Sequence, residues 1–291
     1  MASLRTARRK AANVAFTAFC WIGAGVALAA LALIFWTLIV KGVGGINADV
    51  FTKETPASGS VGGLANAIIG SIVLCVLAMV LAVAVGVMAG TWLAEYGGRS
   101  LYAQIVRFVN DILLSAPSVL VGLFVYTIFV HNPPIFHGFS AGAGAVALAL
   151  IAVPIITRTT EDVLKLQPTA LRESGVALGT PQWTTIRKIL WKSAGSGILT
   201  GGLLAFARIS GETAPLLFTS LNNQFFSMGL NKPWLGLGSP IASLPAVIFQ
   251  FALSAYDDLV KLAWAGALII AVAVLAANIL ARIVTRERRS A

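Results

Sequence analysis

The chain has 291 residues, of which 58% are hydrophobic and 11% charged, and its mean hydropathy is +0.87. A soluble protein of ordinary composition carries about 25% charged residues, so the composition excludes a soluble globular domain and points to an all-α polytopic membrane protein. The net charge of +10 raises the question of nucleic acid, which its distribution along the chain answers in the negative.

A bilayer core of about 30 Å takes about 20 apolar residues as a helix. Six segments reach that length, and the first follows the basic start "MASLRTARRKAANVAF". Its apolar run, 14–40, outlasts the roughly 7–15-residue core of a secretory signal, and no small-residue cleavage site closes it. It is read as an uncleaved span, with residues 1–60 forming a tail, that span and an outer loop. The others are expected at 64–93, 112–130, 140–157, 196–220 and 260–284, with Pro117 inside the third and Pro154 near the end of the fourth. Gly86/Gly90 and Gly197/Gly201 recur at four-residue spacing, as on packing surfaces between close helices. Cys20 and Cys75 lie inside apolar runs and read as small buried hydrophobes.

Lys and Arg sort the connections. The N-terminal tail has Arg5, Arg8, Arg9 and Lys10, the 94–111 loop Arg99 and Arg107, and the C-terminal tail Arg282, Arg286, Arg288 and Arg289. The 158–195 loop has Arg158, Lys165, Arg172, Arg187, Lys188 and Lys192. The opposite side holds only Lys41, Lys53, Lys232 and Lys261. By the positive-inside rule the crowded side, with both termini, is cytoplasmic. Topology thus accounts for the basic balance, and no nucleic-acid partner is expected. On the outer side, 221–259 turns apolar in "LPAVIFQFAL", too short to span, which reads as a re-entrant or interfacial helix.

Several chemistries are missing. No GxxxxGK[ST] and no Gly-Lys pair occur, so the chain has no phosphate-cradling nucleotide loop. There is no HExxH or GxSxG, and His131 and His137 flank "NPPIF" without a cluster of partners, so no metal site and no catalytic residue are expected. Energy for any transport must come from a partner, and no cofactor is expected on this chain.

The segment "QPTALRESGVALGTPQWTTIRKILWKSAG", 167–195, reads as two short helices. Pro168 suits a first turn, Gly179 a left-handed stop, and Thr180 a cap for a second helix with Pro181 at its first position. On that helix Trp183, Ile186 and Leu190 are expected on one face, with Arg187 and Lys188 turned away. Local physics leaves open whether this protrusion lies on the inner leaflet or docks a partner protein.

A resemblance bears on that choice. "ESGVALGTPQWTTIRKI" is similar to the EAA signature of ABC import permeases, with Glu173, Gly179 and Ile189 matching in identity and spacing. It departs in reading Glu173-Ser174-Gly175 for Glu-Ala-Ala, and Trp191-Lys192 where a helix-stopping Leu-Pro commonly follows. "LLAFARISGETAPLLFT", "TRTTEDVLKLQP", "NDILLSAPSVLVGLFVY" and "AYDDLVKLAWAGALII" resemble the PstA-type permeases of bacterial phosphate importers, over roughly 60–285. The resemblance implies a type I ABC importer permease fold over 61–285, with a short cytoplasmic tail at 286–291. It also implies a bacterial inner-membrane location and a coupling loop (Glu173, Gly179, Trp183, Ile186, Ile189) received by an ATP-binding dimer of PstB type. That dimer would use ATP and magnesium. A second permease of PstC type and an extracytoplasmic phosphate-binding protein of PstS type complete the implied partners.

One oddity remains in the fifth span. Arg208 and Glu212 sit one helical turn apart in an otherwise apolar run. A charge at a span's centre costs on the order of 2.5–3.5 kcal/mol, and an i,i+4 pair returns only about 0.2–0.5. Their face must therefore meet protein or water. Gly211 and Pro215 are expected to kink the helix there, as along a cavity wall. The expected substrate pathway comprises Arg208, Glu212, Arg158 and Thr213, with Thr157, Thr159 and Thr160 as hydroxyl donors beside Arg158. Arg208 would attract the phosphate implied by the resemblance, and Glu212 would keep the field weak enough for release. The pair could equally lock two helices together, and Arg158 could be a plain positive-inside flank. Other readings are an ABC permease for another oxyanion or an amino acid, or a channel or proton-coupled carrier. The docking loop, and the lack of an inverted repeat, argue against that last reading.

Overall fold

A computed structural model describes residues 2–57, 59–131, 138–225 and 237–287, and every regular element among them is helical. In chain order these are α1 (Ala2–Val43), α2 (Ala48–Thr52), α3 (Ala65–Glu95), α4 (Leu101–Ser115) and α5 (Ser118–Val125), which continues as a wider π turn, Tyr126–His131. Then come α6 (Ala141–Lys165), α7 (Thr169–Ala177), α8 (Gln182–Thr185), a second π segment (Ile186–Leu190) and α9 (Trp191–Ser210). The last are α10 (Ala214–Thr219), α11 (Leu244–Ala252) and α12 (Asp257–Glu287). Among the described residues, five helices are long and apolar enough to span, and α4 with α5 brings the number to six if that bent pair is one span.

α6 is the hub, and glycines let its neighbours approach. A Cβ on Gly86 would stand 2.8 Å from that of Ile156, and one on Gly90 would stand 2.5 Å from the Thr157 carbonyl, so α3 lies directly on α6. From the other side, Gly197 meets Val163 and Gly201 meets Thr159. The four-residue glycine spacings are therefore the contact surfaces expected of them. A Cβ on Gly201 would sit 2.0 Å from Thr159 Oγ1, whereas one on Gly202 would meet nothing within 4 Å. Gly201→Leu is thus expected to cost about 1–3 kcal/mol of overpacking and to lower the melting temperature of the purified protein in detergent. Gly202→Ala should leave it unchanged.

Three expected boundaries move. The third span is broken: Ala116, preceding Pro117, is extended at ψ 135, as a residue before proline prefers, and the two halves meet at 107°. Arg107, expected in a loop, is consequently helical and points from α4 toward α6. The fourth helix continues past residue 157 to Lys165 because its charges are paired, as described below. The fifth runs through residue 191, unbroken from Gln182, and ends early, at Ser210.

At the end of the bundle where α3 begins, α11 buries its first turn and Phe251 and leaves Phe249, Gln250 and Ala252 exposed. The bare Cα of Gly70 packs on the Ala242 carbonyl, and Ser71 Oγ accepts from the Leu244 amide. Most of the preceding "SMGLNKPWLGLG", with Lys232, lies outside the described residues, as do His137 and residues 288–291. α1 touches the bundle at its C-terminal end, where Gly42 meets Leu268 and Lys41 lies over the Trp264 ring at 5.1 Å.

Candidate translocation site and docking segment

The depth of the charged pair follows from helix register. α9 runs antiparallel to α6 with Gly201 on Thr159 and Gly197 on Val163, which sets Arg208 level with Ala152, near the midpoint of α6. Arg208 lies in the last turn of α9, where the helix dipole favours a cation. Glu212 is past the helix end, not on the same helix face as expected. Its amide is held to the Ile209 carbonyl at 3.2 Å, and its carboxylate reaches back to Arg208, with Oε1 3.0 Å from Nη2. That approach is an ion pair without hydrogen-bond alignment, so Oε1 has no hydrogen-bond partner. The two side chains differ in setting, Arg208 being 57% and Glu212 8% exposed.

The expected kink at Gly211 and Pro215 is a full break. Pro215 has no N–H to continue the ladder; it sits in the first turn of α10 instead, and Thr213 precedes that helix without a side-chain cap. Pro215 is also the point on which Gly122 of α5 packs, 2.6 Å from an added Cβ. On the opposite flank of α9, a largely apolar cavity of about 320 Å³ is lined by Cys75, Phe206, Ser210 and residues of α11 and α12, with no charged group.

Arg158 is not brought to the pair. By the same register it is level with Gly202, about 9 Å of helix rise from Arg208, and it pairs with Asp162 at 3.3 Å. The threonines do not surround it as donors. Thr157 and Thr160 are buried with hydroxyls lacking partners, and Thr159 donates to the Ile155 carbonyl.

The candidate docking segment, 167–195, departs from expectation in its second half. α7 ends at Ala177, and Gly179 follows at φ +66, a conformation that favours glycine. Thr180 does not cap α8. Its hydroxyl donates to the Gly175 carbonyl, and Gly175 itself abuts Thr185 so closely that an added Cβ would be 2.3 Å from Oγ1. Ile186 and Leu190 are buried and Ile189 partly so, but Trp183 is 55% exposed, with the Arg187 guanidinium 4.9 Å from its ring. The π turn adds a residue to the local repeat between α8 and α9 and so rotates Trp183 off the buried face. With no Leu-Pro stop, the chain continues through this turn into α9. Glu173 is exposed.

Residues that sequence reasoning missed hold this end together. Buried Glu161, 1% exposed, receives Arg107 Nε at 2.7 Å from α4 and Lys165 from its own helix. Glu95, at the end of α3, is gripped by Arg172 of α7 through two bonds, Nε to Oε2 at 2.9 Å and Nη2 to Oε1 at 2.6 Å. That bonding raises the Arg172 pKa further above its ordinary value. Only the i,i+4 pair Glu161/Lys165 had a signal in the sequence. The partners from other helices had none.

The family of binding-protein-dependent transport system inner membrane components matches residues 86–290. Phosphate transport system permease protein PstA of Haemophilus influenzae is 49% identical over 287 residues, covering 99% of this chain and 98% of that protein. PstA of Xylella fastidiosa is 51% identical over 94% of this chain and 93% of its own, and PstA 1 of Mycobacterium tuberculosis 32% over 98% and 92%. Among solved structures, the inward-facing methionine ABC transporter MetNI aligns with a TM-score of 0.61 at 16% identity, over 77% of this chain and 95% of that one. That likeness is one of fold. This chain belongs to the binding-protein-dependent transport system inner membrane components, and within them to the PstA-type permeases.

Proposed function

We propose that this chain is one of two permease subunits of an ATP-driven phosphate importer in a bacterial inner membrane, with both termini cytoplasmic. Its relatives' names supply the substrate. The observation that carries the mechanism is the continuity of the docking segment with the helix bearing Arg208, at whose broken end Glu212 turns back to that arginine. Arg208, half exposed at mid-depth, attracts the oxyanion. Glu212 offsets the cation, so the anion is held weakly enough to leave, and Thr213 lines the break. Arg158, offset by Asp162 at 3.3 Å, stands toward the cytoplasmic exit and adds little net charge there.

A second, PstC-type permease supplies the other half of the pathway. A PstB-type ATPase dimer, using ATP and magnesium, closes and pulls on the segment around Glu173, Gly179, Trp183, Ile186 and Ile189 of this subunit. A PstS-type binding protein delivers phosphate to the outer face. This chain contributes no covalent chemistry and no cofactor.

Proteoliposomes holding the whole complex test the reading. Radiolabelled phosphate is expected to accumulate only with ATP and the binding protein, and to be competed by arsenate but not sulfate. Uptake driven by a proton gradient without ATP would overturn the importer, and preferred sulfate uptake would overturn the substrate.

A further inference from the structure

The end of α3 is remote in the chain from the docking segment, yet it is held by three residues of it. Arg172 clasps both oxygens of Glu95, the Gln182 side chain donates to the Glu95 carbonyl at 3.3 Å, and Trp191 Nε1 donates to Thr91 Oγ1 at 3.1 Å. Arg172 is committed further. Its Nη1 bonds the Gln167 carbonyl at 2.9 Å and Nη2 the Leu164 carbonyl at 2.8 Å, where α6 ends. A guanidinium makes such a planar fork, and a lysine ammonium cannot. The Glu95 side chain is 4% exposed and that of Arg172 29%, so the carboxylate is buried and the pair is only partly open to the solvent and salt that weaken surface pairs.

We infer that Arg172 and Glu95 form a strap through which displacement of the docking segment is delivered to α3, so that this segment drives two helices rather than one. α9 follows through the continuous backbone, and α3 through the strap. The two helices flank the cavity at Cys75 and Ser210, and both lie on α6. Moving α9 alone would shear it along α6 and away from α3, whereas moving both ends keeps the α3–α9 contact at that cavity together. Arg172 and Glu95 are positioning residues, since neither touches the transported ion. The inference rests on the proposed ATP-driven import.

The test measures ATP hydrolysed per phosphate imported by the whole complex in proteoliposomes, with subunit stoichiometry checked after purification. Glu95→Gln keeps the shape but loses the charge, and Arg172→Lys keeps the charge but loses the fork. Both variants are expected to assemble and to hydrolyse ATP at near wild-type rates. Phosphate import should fall about tenfold or more for Glu95→Gln and less for Arg172→Lys, raising the ATP-to-phosphate ratio in that order. Hydrolysis and import falling in parallel, an unchanged ratio in both variants, or loss of assembly in both would overturn the strap. A wild-type complex that imports no phosphate with ATP would instead refute the importer reading, and the strap with it.

Discussion

Arg208→Gln is expected to lower phosphate uptake about 10- to 100-fold, while the complex assembles in normal amount. A charge-assisted contact contributes about 1.5–3 kcal/mol, and each 1.4 kcal/mol is a factor of ten. The substitution therefore removes most of the attraction at a mid-depth site where lipid and protein offer no substitute for water. It also leaves Glu212, 8% exposed, without its cation, so the residual local charge opposes an anion. Arg208→Lys should recover part of the uptake, since it restores the charge without the planar fork. Glu212→Gln should show the reverse pattern, with tighter apparent binding and slower turnover. Wild-type uptake by Arg208→Gln would reduce the pair to a helix lock.

The largest expected loss of stability follows removal of the Glu161 carboxylate. Glu161→Ala leaves Arg107, largely buried against α6, with its bonds to the Gly98 and Leu93 carbonyls but no counter-charge. Breaking a buried pair from one side costs about 3–5 kcal/mol; Lys165 is half exposed and rehydrates freely, which sets the expectation near the lower end. The melting temperature of the purified complex in detergent is the measurement, and a shift indistinguishable from that of Asp162→Ala, an exposed partner, would refute it. Because Glu161 joins α4 to α6, the loss should appear as well in exchange of the α4 amides with solvent.

The apolar spans, five single helices and a sixth if the bent pair α4 and α5 is one span, were legible because their signal is local. Apolar length is set by bilayer thickness, and each of the six expected segments coincides with a helix or helix pair. Glycine spacing at 86/90 and 197/201 likewise marked the two faces of α6, since close approach needs small side chains whatever the partner. Boundaries were less legible. Charged residues after Thr157 looked like the end of a span, yet Glu161 stays buried because Arg107 arrives from a helix more than fifty positions earlier in the chain.

Sequence alone determined the class, the apolar spans and the presence of a charged pair too costly to face lipid. Each depends on a residue's own transfer energy or on neighbours within a turn. Tertiary structure decided which cation meets which carboxylate: Arg107 with Glu161, Arg172 with Glu95, and Arg158 with Asp162 rather than with the Arg208 site. It also decided that Glu212 leaves the helix and turns back, and that the π turn frees Trp183 from the buried face. These outcomes depend on distances between segments remote in sequence and on how the backbone ends a helix. A list of residue types carries neither, because the same arginine is a flank, a strap or an anion site according to what stands opposite it.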